Sequence, residues 1–181
     1  FDHTLVNTFQ NFDYELNEIF FNDLKIRKPD FNFYVDAKTP SKIIANVIDK
    51  TDMIIRKIKP DAFLILGDTN SSLSAISAKK NNIPIFHIEA GNRSFDAEVP
   101  EEINRKIVDH ISDINITYSH YAKQNLISEG LANNKIIKLG SPLDEVINKN
   151  LKKINSSKII KKYQLKKNKY FLVSYHRDEN L

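Results

Sequence analysis

The stretch AFLILGDTN, residues 62–70, joins an uninterrupted apolar run to a glycine and an acidic residue directly behind it. A short apolar run of this kind is typical of a strand buried on both faces of a parallel sheet. A second such run, Pro84–Ile88, follows the helix-compatible segment Asn70–Lys80 and ends in the residues 89–91, Glu-Ala-Gly. Strand, helix and strand at this spacing predict a βαβ unit.

The alternation continues on both sides of this unit. Upstream, Thr39 is a suitable helix N-cap with Pro40 in the first turn, and the helix is expected to end at Pro60. Downstream, Ile103, Ile107 and Ile111 recur at helical spacing and predict an amphipathic helix. The fold class predicted is α/β, a doubly wound parallel sheet (Rossmann-like) with right-handed connections. The remaining expected elements are strands at His3–Asn7, Ile114–Tyr118 and Lys135–Leu139 and helices at Asn11–Leu24, Glu101–Ile111 and Ser119–Glu129.

The chain is expected to divide into three parts. Residues 1–148 form most of a Rossmann-like domain, 149–168 a linker with an interdomain helix, and 169–181 the start of a second Rossmann-like domain. We predict an interrupted helix over Leu143–Lys162 and an extended loop over Pro29–Asp36. We expect Tyr170–Ser174 to be the first strand of the second domain. The single methionine is internal and neither end has a polar tail, so we expect the sequence to be truncated at both ends.

Composition argues against several classes of protein. The 181 residues are 41% hydrophobic and 28% charged, as in an ordinary globular protein, and none is cysteine. No apolar run approaches the roughly 18 residues that cross a bilayer, so we expect no membrane partner and a cytoplasmic location. The net charge of +4 reflects lysines concentrated in Lys149–Lys169. They lack the interleaved aromatic residues of a nucleic-acid groove, so we predict a solvated surface and no nucleic-acid partner.

Acidic residues follow both apolar strands at the point where each strand ends. Asp68 comes after the first strand and Glu89 after the second. In an open parallel sheet ligands bind outside the carboxyl ends of the strands, and neighbouring strands lie about 4.8 Å apart. We therefore expect both carboxylates in one crevice, where repulsion raises the pKa of one and suits it to proton transfer. Helix N-capping is an equally good role for Asp68 on sequence grounds.

Further polar residues suit a binding site. Glu101 and Arg105 lie one helical turn apart, a spacing for which a surface salt bridge is the simpler explanation. His176 and Arg177 follow the last predicted strand, and such a pair can hold a diphosphate.

Metal and nucleotide motifs are absent from the sequence. It contains no HxxxH, HExxH, G-x-G-x-x-G or P-loop pattern. We therefore expect no metal and no cofactor. His87 and His110 are predicted to be packing or hydrogen-bonding side chains.

Four motifs together resemble the non-hydrolysing UDP-N-acetylglucosamine 2-epimerase family. They lie at residues 67–69 (Gly-Asp-Thr), 87–91 (His-Ile-Glu-Ala-Gly), 100–105 (Pro-Glu-Glu-Ile-Asn-Arg) and 176–180 (His-Arg-Asp-Glu-Asn). Their order is similar to that of the family over nearly the whole chain. The combination is specific, although each motif alone is not.

The resemblance implies the N-terminal domain of a two-domain, glycosyltransferase-B-like enzyme. It implies an epimerase, an isomerase that inverts C2 of a UDP-2-acetamido sugar by eliminating UDP and adding it back through a 2-acetamidoglycal. Carboxylates would transfer protons and orient the substrate, while Arg105 and His176 would hold the UDP leaving group. The residues implied are Asp68, Glu89, Glu101 and His176 for catalysis and Gln10, Arg105 and Arg177 for substrate binding.

A narrower resemblance involves residues 91–110 and 140–142. These segments look like the branch that converts UDP-2-acetamido-2,6-dideoxy-L-talose into UDP-N-acetyl-L-fucosamine, a step in capsule and O-antigen (lipopolysaccharide) precursor synthesis. The family also implies a homodimer.

The sequence departs from the family pattern at Phe9, because residues 8–11 are Thr-Phe-Gln-Asn where the family has Thr-Gly-Gln-His or Thr-Gly-Gln-Asn. The family's basic N-terminal loop and most of its second domain are missing, so we expect the isolated fragment to be inactive. Two alternatives stay open. One is a hydrolysing 2-epimerase or a glycosyltransferase of the same architecture, and the other is a non-catalytic nucleotide-sugar-binding remnant.

Overall fold

A computed structural model describes residues 1–8, 18–33 and 39–173 of the chain. It divides into two compact units, Phe1–Ser141 and Pro142–Leu181. The first unit holds the sheets and the second holds two helices. The elements are strands β1 Val6–Asn7, β2 Phe31–Asn32, β3 Phe63–Leu66, β4 Ile85–Ile88, β5 Ile114–Thr117 and β6 Ile136–Lys138, and helices α1 Glu18–Asp23, α2 Pro40–Ile58, α3 Ala75–Lys80, α4 Pro100–Ile111, α5 His120–Ser128, α6 Leu143–Ser156 and α7 Ile159–Lys162.

The larger sheet has four parallel strands in the order β3-β4-β5-β6, which confirms the α/β class with a parallel sheet. Its register aligns Ile65, His87, Asn115 and Ile136 in one row across the sheet. Because side chains alternate along a strand, this row points to a single face. Polar side chains therefore occupy the middle of a row that has an isoleucine at each end.

The smaller sheet pairs β1 with β2 in parallel. The prediction of an extended loop over Pro29–Asp36 is wrong for Phe31 and Asn32, which form β2. The adjacent Phe33 is buried and donates its backbone N–H to the carbonyl of Asn7. Two-residue strands carry almost no periodicity, which is why the sequence pattern did not reveal the pairing.

Helix α2 forms as its terminal residues predict. The Thr39 side chain accepts a hydrogen bond from the Lys42 amide, Pro40 occupies the first turn, and Lys59 ends the helix in the left-handed region. Its buried residues are Val47, Thr51 and Ile55. The segment predicted as one helix over Asn70–Lys80 begins instead as a 3₁₀ turn, Asn70–Ser74, before α3.

Helices α3, α4 and α5 follow successive strands that are added in one direction across the sheet. Right-handed crossovers place such helices on the same face. The prediction that β3 is buried on both faces is therefore wrong within the described residues, because Leu64 and Leu66 are 66% and 63% exposed while Ile65 is buried.

Helix α4 departs from its predicted apolar pattern at two of three isoleucines. Ile103 and Ile107 are 52% and 37% exposed, whereas Ile111 packs against the core. The buried residues of the helix are Val108, which belongs to the core, and the polar residues Glu102, Asn104, Arg105 and Asp109. The ionic contacts of these side chains, described below, decide the orientation of the helix.

The second unit contains α6 and α7, so the predicted interruption of the helix over Leu143–Lys162 is confirmed. Its lysines are exposed, as expected for a solvated surface. The predicted strand at Tyr170–Ser174 is wrong for the residues up to Val173, which pair with no strand and are exposed, and Ser174 lies outside the described residues. Within the described ranges no helix is both long and apolar enough to span a bilayer.

Gly91 and Gly130 provide a matched test of packing around the turn that follows β4. Both have positive φ angles, 79° and 92°. A Cβ atom at Gly91 would overlap the backbone carbonyl of Ala122 on α5, whereas a Cβ at Gly130 would meet open space. We expect Gly130→Ala to lower the free energy of unfolding by about 1–2 kcal/mol through backbone strain. Gly91→Ala should lower it by roughly a further 1–3 kcal/mol through overpacking.

Urea denaturation of both variants checks this expectation. Equal losses of unfolding free energy in the two variants would show that the turn after β4 does not pack against α5 as described.

Candidate active site

The carboxyl ends of β3 and β4 lie side by side and bring two acidic residues to one edge of the sheet. Leu66 is paired with Ile88, and Gly67 donates its backbone N–H to the Ile88 carbonyl at 3.0 Å. Asp68 and Glu89 are the next residues along the two strands. A Cβ placed on Gly67 would lie 3.8 Å from Glu89 Oε2, so the Glu89 side chain lies over this glycine. The expectation that the two strand ends are adjacent is confirmed.

Asp68 is held by helix α4. Its Oδ2 accepts hydrogen bonds from Arg105 Nε, at 3.0 Å, and from Arg105 Nη2. The side chain of Asn104 donates to the Asp68 backbone carbonyl at 3.0 Å. The capping role for Asp68 is wrong, because Thr69 is the residue that precedes the 3₁₀ turn and no side chain caps it.

Arg105 is a buried bridge between two carboxylates. Besides Asp68, it contacts Glu102, with 2.5 Å between Nη1 and Oε2. The expectation of a surface salt bridge with Glu101 is therefore wrong. The buried partner is Glu102, which lies three residues before Arg105 on the inner face of α4.

Glu102 ties α4 to the loop that follows β4. Its Oε2 accepts hydrogen bonds from the backbone N–H of Ser94 at 3.0 Å and from the Ser94 hydroxyl at 3.2 Å. Burial raises the pKa of Glu102, but the hydrogen bonds from Ser94 and the charges of Arg105 and Arg93 outweigh it and place the pKa below its ordinary value. Glu102 is therefore an ionised structural carboxylate.

Glu89 has the opposite electrostatic environment. Burial raises its pKa, the charge of Asp68 raises it further, and the charges of Arg105 and His87 oppose the shift without cancelling it. Its side-chain contact is a long hydrogen bond of 3.4 Å from Asn92. A carboxyl group whose pKa is raised toward neutrality can both accept and release a proton, as the sequence led us to expect. Glu89 also has a φ angle of 70°, a left-handed conformation that is unusual for a residue with a side chain.

A buried cluster of charges fixes both turns. His87 places Nδ1 2.8 Å from Asp109 Oδ1 and Nε2 2.9 Å from the carbonyl of Gly67. Asp109 also accepts the backbone N–H of Gly91 at 3.2 Å and Arg93 Nη1 at 2.7 Å. Arg93 continues to Glu129 at the end of α5, with both contacts at 2.6 Å. The prediction that His87 is a hydrogen-bonding residue is confirmed.

The remaining residues singled out by the sequence are Glu101, Gln10, His176, Arg177 and His110. Glu101 is half-buried and forms no hydrogen bond or ion pair with the described residues. Gln10, His176 and Arg177 lie outside the described residues. Thr8, the last described residue before residue 18, has its Oγ1 2.5 Å from Ser71 Oγ. His110 is exposed and contacts the Lys106 carbonyl, as a hydrogen-bonding residue would.

Sequence reasoning missed Glu102, Arg93, Asp109 and Glu129. A signal for part of this set is present, because Glu102, Arg105 and Asp109 recur at positions i, i+3 and i+7 and therefore share one face of α4. Arg93 and Glu129 are 36 residues apart, and no local pattern connects them.

A groove lies at the other end of the sheet. It has a volume of about 660 Å³ and is lined by residues that precede β3 and β4, including Lys59, Asp61 and Pro84. None of the carboxylates described above lines it. No group of three or more His, Asp or Glu side chains within residues 1–8, 18–33 and 39–173 could hold a metal ion.

Comparison with known proteins identifies the family. The family model described as UDP-N-acetylglucosamine 2-epimerase matches residues 1–181, and the chain belongs to this family. A UDP-2,3-diacetamido-2,3-dideoxy-D-glucuronate 2-epimerase of Pseudomonas aeruginosa is 40% identical over 144 residues, which cover 78% of this chain and 41% of the relative. The chain spans about half the length of the curated relatives it matches.

Two solved structures share the fold. A UDP-N-acetylglucosamine 2-epimerase from Rickettsia bellii is similar with a TM-score of 0.88 and 54% identity, covering 98% of this chain and 48% of that one. The Methanocaldococcus jannaschii UDP-GlcNAc 2-epimerase in complex with UDP-GlcNAc and UDP is similar with a TM-score of 0.81 and 33% identity, covering 87% of this chain and 44% of that one.

The pairing of Asp68 with Glu89 predicts a coupled titration. Replacing Asp68 with Asn removes a negative charge near Glu89 and frees the Arg105 guanidinium from its partner. Both changes favour the ionised form of Glu89, so its pKa should fall. NMR titration of side-chain carboxyl carbons in a ¹³C-glutamate-labelled protein measures the shift.

The matched control for this titration is Glu98→Gln, which removes an exposed carboxylate from the loop after β4. It should leave the Glu89 titration in place. A Glu89 pKa that rises or stays constant in Asp68→Asn would contradict the described proximity.

Proposed function

We propose that the complete protein containing this chain is a non-hydrolysing epimerase that inverts C2 of a UDP-2-acetamido sugar. The observation that carries the proposal is the meeting of Asp68 and Glu89 at the carboxyl edge of the sheet, where burial and the charge of Asp68 raise the pKa of Glu89. Family membership supports the reaction class, and the M. jannaschii structure in complex with UDP-GlcNAc supports the ligand class.

The proposed reaction has two halves. In the first, the bond between C1 and the diphosphate oxygen breaks, UDP takes the bonding electrons, and a base removes the C2 proton to leave a 2-acetamidoglycal. In the second, a proton is added to the other face of C2 and UDP returns to C1. The C2 proton is weakly acidic, so stabilisation of the departing diphosphate must lead. One group on each face of C2 must then exchange a proton.

Glu89 has the properties of one of these groups. Its pKa is raised by burial and by the charge of Asp68, and its side chain lies at the edge of the sheet over Gly67. Its left-handed backbone costs about 1–2 kcal/mol. Strain of this kind persists where the surrounding structure imposes a geometry, and functional sites are a common place for it.

Asp68 is suited to the complementary role of a fixed carboxylate. Arg105 donates two hydrogen bonds to it, which restricts its rotamer. Arg105 would then act first as a positioning residue for Asp68 and second as a positive charge near the UDP leaving group. We assign Glu101, which has no partner in the described unit, to proton transfer or orientation.

The remaining roles fall on residues outside the described ranges. We propose that His176 stabilises the leaving diphosphate and that Gln10 and Arg177 contact the substrate. These assignments rest on the family motifs that contain the residues. We also propose that the domains divide at 148 and 168, that the enzyme acts in the cytoplasm, and that it forms a homodimer.

For the substrate we propose UDP-2-acetamido-2,6-dideoxy-L-talose, with UDP-N-acetyl-L-fucosamine as product, and a role in capsule or O-antigen precursor synthesis. The support is the sequence of residues 91–110 and 140–142. The P. aeruginosa relative is a 2-epimerase of a different UDP-2-acetamido sugar, so the family accommodates changes elsewhere on the ring.

The test is proton exchange at C2 in D₂O. The full-length protein is incubated with UDP-2-acetamido-2,6-dideoxy-L-talose, UDP-GlcNAc and the diacetamido-glucuronate, and C2 is followed by NMR. We expect deuterium at C2, inversion, and UDP retained on the sugar, with the talose derivative turned over fastest. Free sugar and UDP would indicate a hydrolysing enzyme, and binding without exchange would indicate a non-catalytic protein.

The variant that links this reaction to the site is Glu89→Gln, which keeps the size of the side chain and removes its proton exchange. We expect a loss of about 10²–10⁴-fold in the exchange rate. Glu98→Gln, the exposed control in the same loop region, should exchange at the parental rate. Unimpaired exchange in Glu89→Gln would contradict the role assigned to Glu89.

A further inference from the structure

Both ring nitrogens of the buried His87 contact hydrogen-bond acceptors. Nε2 lies 2.9 Å from the carbonyl oxygen of Gly67, and Nδ1 lies 2.8 Å from a carboxylate oxygen of Asp109. A carbonyl oxygen has no proton to donate, so Nε2 must carry hydrogen. A neutral imidazole with hydrogen on Nε2 would then point the lone pair of Nδ1 at the Asp109 carboxylate, which is repulsive unless a proton lies between them.

The contacts of Asp109 place that proton on the histidine. The carboxylate accepts the Gly91 N–H at 3.2 Å and the guanidinium of Arg93 at 2.7 Å in addition to His87. Three donors, one of them permanently charged, favour the ionised form of a buried carboxyl group. Since Asp109 is ionised, Nδ1 of His87 is the donor and the ring is protonated on both nitrogens.

The charges of the cluster balance in this state. His87 and Arg93 supply two positive charges, and Asp109 and Glu129 supply two negative ones. The side chains of His87, Arg93 and Asp109 have no exposed surface. An uncompensated buried charge is strongly unfavourable, and this balance agrees with an extra proton between His87 and Asp109, whereas the Glu129 side chain is 26% exposed.

We propose that His87 is a permanently protonated positioning residue, whose imidazolium holds the turns after β3 and β4 together and supplies a fixed positive charge beneath the Asp68–Glu89 pair. It bonds the carbonyl of Gly67, directly before Asp68, and through Asp109 it holds the N–H of Gly91, two residues after Glu89. Its place in catalysis rests on the proposed function, but its protonation state does not.

The positive charge of His87 acts on the pKa of Glu89. The charged groups that surround His87 are Asp109, Arg93 and Glu129 within the cluster and Asp68, Glu89 and Arg105 at the edge of the sheet. The positive charge of His87 lowers the pKa of Glu89, against burial and the charge of Asp68. His87 thereby keeps Glu89 within the range in which it can exchange a proton.

The first test is the protonation state of His87 in the full-length protein. Nitrogen-15 histidine NMR distinguishes an imidazolium, with two N–H groups, from either neutral tautomer. We expect the His87 signals to show the imidazolium at about pH 8, where a model imidazole with a pKa of about 6.5 is neutral. The exposed His120 supplies the reference for an imidazole in water. A neutral His87 at this pH would overturn the proposal.

Two variants extend the test. Asp109→Asn removes the negative charge beside Nδ1 and keeps the size of the side chain, and we expect His87 to show the neutral signature in this variant. His87→Gln removes the positive charge, so the limb of the exchange-rate pH profile governed by Glu89 should move to higher pH, while His120→Gln leaves the profile in place. A profile unchanged by His87→Gln would overturn the electrostatic role.

The outcomes separate the two proposals. An imidazolium at His87 in a protein that shows no C2 exchange would remove the proposed function and leave the charge state established. C2 exchange in a protein whose His87 is neutral would support the proposed function and overturn the proposed charge state of His87. Loss of folding in His87→Gln leaves the wild-type spectrum and Asp109→Asn as sufficient tests.

Discussion

The buried carboxylate of Asp109 is the interaction on which the site depends. It lies on α4 and accepts hydrogen bonds from His87 on β4, from the Gly91 backbone and from Arg93. Through His87 it also reaches the carbonyl of Gly67 at the end of β3. One helix therefore sets the position of two strand ends and the loop that follows them. Removing one partner from such a buried ionic group costs about 3–5 kcal/mol, so the loops cannot easily relax independently.

The same requirement explains the unusual orientation of α4. Its isoleucines Ile103 and Ile107 face outward, while its inner face presents charged residues to the loops after β3 and β4. Apolar burial of these isoleucines would be worth about 1.5–3 kcal/mol each. The ionic contacts of Asp109 and Arg105 outweigh that gain, because turning the helix would leave their partners on the loops buried without compensation. The ionic contacts thus take precedence over burial of these two isoleucines, while Val108 and Ile111 still pack in the core.

The sequence predicts the sheet well and the site partly. Apolar runs and caps locate β3, β4 and α2, and the rule for strand ends places Asp68 beside Glu89. The prediction that β3 is buried on both faces fails, because the apolar run does not show which side of the sheet the helices occupy. Within the described residues only one face of β3 is covered. Prediction from the sequence also fails at Arg105. The i, i+4 spacing to Glu101 considers neighbours on one helix alone, whereas the partners observed, Asp68 and Glu102, depend on tertiary contacts. Side chains far apart in sequence, such as Arg93 and Glu129, leave no local signal.

The most direct measurement is a crystal structure of the full-length protein with a UDP-2-acetamido sugar bound. The account predicts that the sugar lies at the carboxyl ends of β3 and β4, with C2 within about 3–4 Å of the Glu89 carboxylate and another acidic group on the opposite face. It also predicts that the contacts of Asp109 with His87 and Arg93 are unchanged by binding. A sugar bound away from this edge, for example in the groove near Lys59 and Pro84, would contradict the account.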